Sequence, residues 1–221
     1  MKKTYIIHIE TEPLSLGALL AGAPEFKAAA NLKDPVKIAE DIEKKKNKYI
    51  TEAQFNEAAA TVCAVGLTDL ESGKQSVISL YGGDDHVHSE QELFSCLLDK
   101  LKCDDGLWAD TVSFRGEKHV YPFLARRGAI HSLPFFSVFY WTAMAGRLKE
   151  PMHFDIARVW ACGSMSHPES LDELVSLLKV HYVSSAVPYY KLAKENPEEA
   201  TAYLLNTLDT LEEIYGRVKS V

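Results

Sequence analysis

A histidine and a glutamate two residues apart, His8 and Glu10, stand in an apolar, β-branched run from Thr4 to Glu10. On a strand, that spacing turns both side chains to one face. The pair either shares a ligand or metal at the strand end or forms the solvent-facing half of a half-buried strand. Asp84-Asp85-His86-Val87-His88 is the richest local run of metal-type ligands, and alternation sets His86 and His88 on one side. It follows Gly82-Gly83 and precedes a helix cap, and no Cys or His partner at zinc-finger spacing accompanies it. A solvated loop is therefore favoured over a metal site. Arg126-Arg127, with Arg115 and Lys118 nearby, suits either phosphate contacts or an ordinary amphipathic surface. Lys44-Lys45-Lys46 is flanked by Glu40, Asp41 and Glu43, which favours a solvated helix face with i,i+4 pairing over a nucleic-acid patch. Tyr121, Phe123, Phe135, Phe136, Phe139, Tyr140 and Trp141 form an aromatic stretch. Its default use is core packing, with base stacking as the alternative.

The elements that must position these residues are legible from pattern and punctuation. Thr4 to Glu10 reads as a buried first strand. Asp34-Pro35 supplies an N-cap and a proline at the first helical position, opening a long polar helix to about Asn56. Thr61–Thr68 and Gln75–Tyr81 read as two strands joined by the turn Glu71-Ser72-Gly73. Ser89-Glu90-Gln91-Glu92 is a capping box for a helix with Leu93, Leu97, Leu98 and Leu101 on its apolar side. Asp110 to Phe114 suggests a short strand, and Val120 to Ala145 a helical stretch interrupted at Pro134. Ser170-Leu171-Asp172-Glu173 caps a short helix, and Asn196-Pro197 opens a last helix to about Val218, buried at Leu204, Leu208, Leu211 and Ile214. No internal repeat or linker is visible. The order β, α, β-β, α, β, helices points to an α/β fold with a central mixed sheet, most economically one domain over residues 1–221.

Composition narrows the function classes. With 221 residues, 47% hydrophobic and 25% charged, the chain is long enough for a sizeable core, and wholesale disorder is excluded. No apolar run approaches the roughly 18 residues of a transmembrane helix, and no secretory signal is visible, so a cytoplasmic protein without membrane contact is expected. The four cysteines lack CxxC spacing and read as free thiols in a reducing compartment. A net charge of −7 argues against a general polycationic nucleic-acid binder. No Walker loop, GxSxG, HExxH or GxGxxG is present.

Several segments, taken in order, carry a resemblance. Tyr5-Ile6-Ile7-His8-Ile9-Glu10-Thr11 is similar to an apolar strand ending in Asp-x-Glu-Thr. Asn31 to Lys45 follows as an early helix, and Thr61-Val62-Cys63-Ala64-Val65-Gly66 as a second strand. Arg115 to Arg127 stands where an Asn-x-x-x-Phe-Asp-x-Pro-Phe-Leu block would run into a basic tail. Phe154-Asp155 through Leu174 resembles a third block, and Ala202 to Leu208 a closing Tyr-x-x-x-Asp helix. Together they resemble the predicted 3′-5′ exonucleases related to the proofreading exonuclease domain of family-B DNA polymerases, in the RNase H-like superfamily. The resemblance implies an RNase H-like sheet flanked by helices. Active members hold two divalent metals on four carboxylates, which orient a water and stabilise the leaving oxygen. A tyrosine before the last carboxylate helps position that water.

Mapped onto this chain, Glu10 and Tyr203 match, and Asp155 is retained in the intermediate block. The other three carboxylate positions are His8, Val120 and Thr207. Valine cannot bind a hard cation, and threonine offers one weak neutral oxygen. Asp209 cannot replace the residue at Thr207, because a shift of two on a helix rotates the side chain by about 200°. Arg115 replaces an asparagine and is expected to contact phosphate with Arg126 and Arg127. The resemblance therefore implies an exonuclease-like, nucleic-acid-associated pseudoenzyme without two-metal cleavage. One alternative is an active enzyme with a single Mg²⁺ or Mn²⁺ on Glu10, His8 and Asp155 or His119, in which His8 also suits Zn²⁺. The other is a protein-interaction module without a cofactor. Expected partners are a single-stranded nucleic-acid end or an unknown protein, with self-association through Phe135 to Trp141.

Overall fold

The computed structural model describes residues 3–83, 85–103, 108–135, 153–162 and 170–219. Chain contacts divide into two compact units, Met1–Glu10 with Val62–Val221 and Thr11–Thr61. In the second unit, Ser15 caps α1 (Leu16–Ala21), and Asp34 caps α2 (Pro35–Thr51) by accepting from Val36 N at 2.9 Å. None of the α2 residues is buried, and Lys45 pairs with Asp41 at 2.9 Å one turn away, so the lysine run does form a solvated, self-paired face. A short 3-10 turn (Ala53–Phe55) follows α2, and a small cluster of Leu19, Ala53 and Ala59 forms the apolar centre of this unit.

The first unit is built on the sheet, two of whose strands extend a few residues into the Thr11–Thr61 segment. Its strands are β1 (Thr4–Pro13), β2 (Ala60–Asp69), β3 (Gln75–Ser79), β4 (Asp85–His86), β5 (Asp110–Ser113) and β6 (His153–Asp155), in spatial order β4-β3-β2-β1-β5-β6. β2 and β3 are an antiparallel hairpin, whereas β1–β5 and β5–β6 are parallel. Leu70 N donates to Thr4 O while Cys63 Sγ reaches Glu10 O, so β1 and β2 run in opposite directions. The sheet is therefore mixed, with β1 where antiparallel pairing gives way to parallel. The predicted first strand, hairpin and Asp110–Phe114 strand all form, each within a few residues of its expected bounds, whereas Asp85–His86, expected in a solvated loop, pairs in parallel with β3 as β4.

Helices cover this sheet. Ser89 caps α3 (Glu90–Leu101), whose Leu93, Phe94, Leu97, Leu98 and Leu101 are buried as the spacing requires. α4 (Tyr121–Ile130) follows a five-residue π-helical turn at Gly116–Val120 that the sequence pattern does not announce. α5 (Ile156–Trp160) directly continues β6, and Ser170 caps α6 (Leu171–Leu178). α7 (Tyr189–Glu195) precedes the long α8 (Pro197–Lys219). Ile6, Val112, Ile156, Leu174, Leu208 and Leu211 belong to one buried cluster. α8 approaches the sheet closely at Gly66, where a Cβ would stand 3.1 Å from Leu204 and Leu208 side-chain carbons. That close seat fixes α8, and with it Tyr203 and Thr207, against β2. Phe135 is fully buried and its ring centroid lies 5.2 Å from that of Phe94; Phe136, Phe139, Tyr140 and Trp141 lie outside the described residues.

Candidate functional site

The last register pair between β1 and β5 is Ile6 with Val112. His8 and Glu10 lie beyond it, at the carboxyl end of the parallel pair. In open α/β sheets this is where ligands bind, next to the strand at which the order changes. Ile7 and Ile9 are buried on the opposite face, so alternation leaves His8 and Glu10 together on the other. His8 Nε2 lies 3.2 Å from Glu10 Oε1, with the side chains 24% and 19% exposed. The expected shared face is thus a hydrogen-bonded pair that solvent can reach.

Three tyrosines from α7, α8 and the segment before α7 lie within electrostatic reach of this carboxylate. Tyr203 Oη is 3.2 Å from Tyr182 Oη, and Thr207 donates its hydroxyl to Tyr203 O at 3.0 Å, one helical turn back. Burial, then the Glu10 carboxylate and the Tyr182 phenol, hold the Tyr203 phenol well above its ordinary value. Burial likewise raises Tyr182, and pushes Tyr189 up to about 12 although Ser79 hydrogen-bonds to it. Burial lowers His119 to about 4, helped by the charges of His8 and Arg115. Near neutral pH the phenols that sense the Glu10 charge are consequently neutral, and they offer hydroxyl groups and ring faces.

The remaining candidates are placed as follows. Val120 is buried at the end of the π-helical turn, and Thr207 is fully buried on the inward face of α8. Asp155 is buried at the end of β6, where both oxygens are used by backbone amides. Oδ1 accepts from Arg115 N at 3.1 Å, Ala157 N at 3.0 Å and Arg158 N at 3.4 Å, and Oδ2 from Glu117 N at 3.1 Å. It caps α5 and clamps the turn in which Arg115 holds a left-handed φ of 55°. Gly116 makes that turn sterically feasible, because a Cβ there would fall 2.1 Å from Ser113 Oγ and 2.6 Å from His153 Nε2. Arg126 is exposed on α4. Arg127 is turned inward, its guanidinium forking onto Glu90 with Nη2 to Oε2 at 2.6 Å and Nε to Oε1 at 3.0 Å. Asp209 is exposed and accepts from Gln75 Nε2 at 2.6 Å. In the acidic-histidine run, Asp85 pairs with Lys100 at 2.9 Å, while the His86 and His88 rings meet edge to face at 5.0 Å; Asp84 lies outside the described residues.

Hydrogen bonds and electrostatics thus link His8 to Glu10 and to His119, and Tyr203 to Glu10 and Thr207, whereas the Asp155 carboxylate and the Arg127 guanidinium are taken up by structural bonds. Sequence reasoning missed Tyr182 and Tyr189. Tyr182 sits in the aperiodic stretch before α7, and Tyr189 follows Pro188 at a helix start; the proline is the single signal there. Among the described residues, no group of three or more His, Cys, Asp and Glu side chains is arranged to hold a metal ion. No described helix is long and apolar enough to cross a membrane.

No protein-family description matches the sequence, and no curated protein does. Among solved structures, the family B DNA polymerase from the hyperthermophilic archaeon Pyrobaculum calidifontis aligns with 100% of this chain at 14% identity and a TM-score of 0.50. The chain spans 24% of the length of that polymerase. What the two share is the fold, an α/β arrangement with a mixed six-stranded sheet flanked by helices.

Proposed function

We propose that this chain is an exonuclease-like, RNase H-type domain that binds a single-stranded nucleic-acid end without cleaving it. The supporting observation is the make-up of the Glu10 cluster. At the end of β1, where the resemblance places paired carboxylates, one carboxylate remains and its Oε1 is hydrogen-bonded to His8. Val120 and Thr207 are buried and apolar or neutral at the other two positions. Asp155 already satisfies four backbone amides. A donor set of one carboxylate, one imidazole and neutral phenols does not fit two hard divalent cations, which take carboxylate oxygens. No hydrolytic step is therefore assigned to metals here. What the cluster offers instead is hydroxyl groups and aromatic faces, which suit sugar and base edges.

The test is incubation with end-labelled single-stranded DNA and RNA in Mg²⁺ and then Mn²⁺, with binding measured on the same substrates and Glu10→Ala as control. Binding without shortening of the substrate is the expected result. Shortening from the 3′ end that disappears in Glu10→Ala would instead establish a rebuilt enzyme. No binding at low salt would leave a protein-interaction role.

A further inference from the structure

We infer that Tyr81 and Tyr190, flanked by Lys191 and Lys194, form a stacking platform along which single-stranded nucleic acid lies next to the Glu10 cluster. This rests on the nucleic-acid reading above and specifies where the strand runs. The platform is built on two segments stapled together by one buried hydroxyl. Ser79 Oγ accepts from Tyr81 N at 3.1 Å and lies 3.3 Å from Tyr189 Oη. In α7, Tyr189 and Ala193 turn inward, one turn apart. The neighbouring pair, Tyr190 and Lys194, occupies the next stripe of the helix, with Tyr190 half-buried and Lys194 exposed. Lys194 Nζ sits between the two rings, 5.6 Å from the Tyr81 centroid and 5.5 Å from that of Tyr190. Lys191 Nζ lies 6.0 Å from the Tyr190 centroid.

Two half-buried rings on fixed backbone, each with an ammonium group within cation–π range, match the chemistry of single-strand recognition. A base that stacks on a ring displaces a flexible lysine, and that lysine then reaches the adjoining phosphate. The chain as a whole is acidic, with a net charge of −7, so phosphate contacts must be concentrated where cations and rings coincide. The platform is also continuous with the candidate site. Tyr81, Tyr190 and Tyr203 all pack against the buried cluster that contains Cys63, Tyr189 and Leu204, and Cys63 Sγ bonds to Glu10 O.

The experiment measures anisotropy of a labelled oligo-dT of about 20 nucleotides, longer than the roughly 4–16 that a single-strand-binding OB fold covers. Tyr190→Ala is expected to weaken binding by about tenfold, whereas Tyr190→Phe, which keeps the ring, binds like the parent. Replacing Lys191 and Lys194 together by alanine should reduce the slope of log affinity against log salt by about 1.4, at about 0.7 per phosphate contact. Lys219→Glu serves as a charge control on α8, beside Tyr215, and should leave binding unchanged. If the parent binds and Tyr190→Ala binds equally well, the platform is wrong while the nucleic-acid reading stands. If the parent does not bind at low salt, both fall. Should Tyr190→Ala fail to fold, an unchanged salt slope in the double lysine variant overturns the platform on its own. Displacement of the oligonucleotide by poly-glutamate at equal charge concentration would also overturn it, in favour of an acidic peptide.

Discussion

Glu90 and Glu10 are the same side chain put to opposite uses. Glu90 is buried at the start of α3, where its oxygens accept from Val62 N at 2.7 Å, from the Arg127 fork and from His131 Nε2 at 2.7 Å. Burial alone would raise its carboxyl, but the bonds from Arg127, His131 and Val62 N outweigh it and hold the group below the ordinary carboxylate range. Glu10 is half-buried, shares one hydrogen bond with a neighbour on its own strand, and faces phenols. The first carboxylate is saturated by partners far along the chain and can do little but hold the fold. The second keeps acceptor capacity toward whatever enters. Saturation, more than residue type, separates structural from available acids in this molecule, and Asp155 with its four amides falls on the Glu90 side.

That contrast breaks most sharply at Glu90. Glu90→Ala leaves the Arg127 guanidinium buried without its partner, and a loss of about 3–5 kcal/mol in denaturant unfolding is expected. A loss below about 1 kcal/mol would mean that Arg127 finds solvent and the pair is dispensable. Asp155→Ala comes next, at about 2 kcal/mol, because one substitution uncaps α5 and frees the Arg115–Glu117 turn. Its equilibrium unfolding should lose stability with little change in slope.

Histidine extends the comparison through pH. His153 is buried, its Nδ1 bonded to Thr111 O at 2.9 Å and to the Tyr121 hydroxyl, while Nε2 faces Gly116 with no hydrogen-bond partner among the described residues. Burial lowers its value to about 3, so the folded side chain stays neutral where the unfolded one, near 6.5, takes up a proton. The unfolded state then binds more protons, and stability falls as pH drops from 6.5 toward 3. The loss should be about 2 kcal/mol by pH 5 from this group. His153→Gln should flatten that part of the stability–pH profile; an unchanged slope would show that His153 is not its source. The smallest effect is reserved for Glu10→Ala. A half-exposed pair of this kind contributes about 0–1 kcal/mol, so unfolding should barely change while the Tyr203 phenol becomes more acidic in a spectrophotometric titration.

Much of the scaffold was readable in advance because it rests on local periodicity. The β1 run, the Ser89 box and the Leu204–Ile214 spacing of α8 each fold as their patterns require. What escaped was decided by partners distant in sequence. Glu90 reads as an ordinary first-turn acid of a capping box, and Arg127, His131 and Val62 N, all distant in sequence, make it a buried ion. Arg127 reads as half of a basic dipeptide, yet a turn of about 100° between successive helical residues sends Arg126 to solvent and Arg127 inward. Asp155 reads as a retained ligand, and its amide partners at Arg115 and Glu117 carry no side-chain signature at all. The π-helical turn depends on one glycine tolerated under His153, which no periodicity reveals. The pairing of His8 with Glu10 was legible because it needs nothing but strand alternation.

The two outermost described strands have a consequence for how copies of this chain can meet. β4 has two residues and β6 three, so each border of the sheet offers very few backbone groups in register for an incoming strand. Long, flat borders are the templates for runaway strand-to-strand polymerisation, and truncating them is one of the ways proteins forestall it. Self-association of this protein, where it occurs, is thereby steered toward side-chain surfaces, which a single substitution can disrupt, and away from fibril-like growth of the sheet.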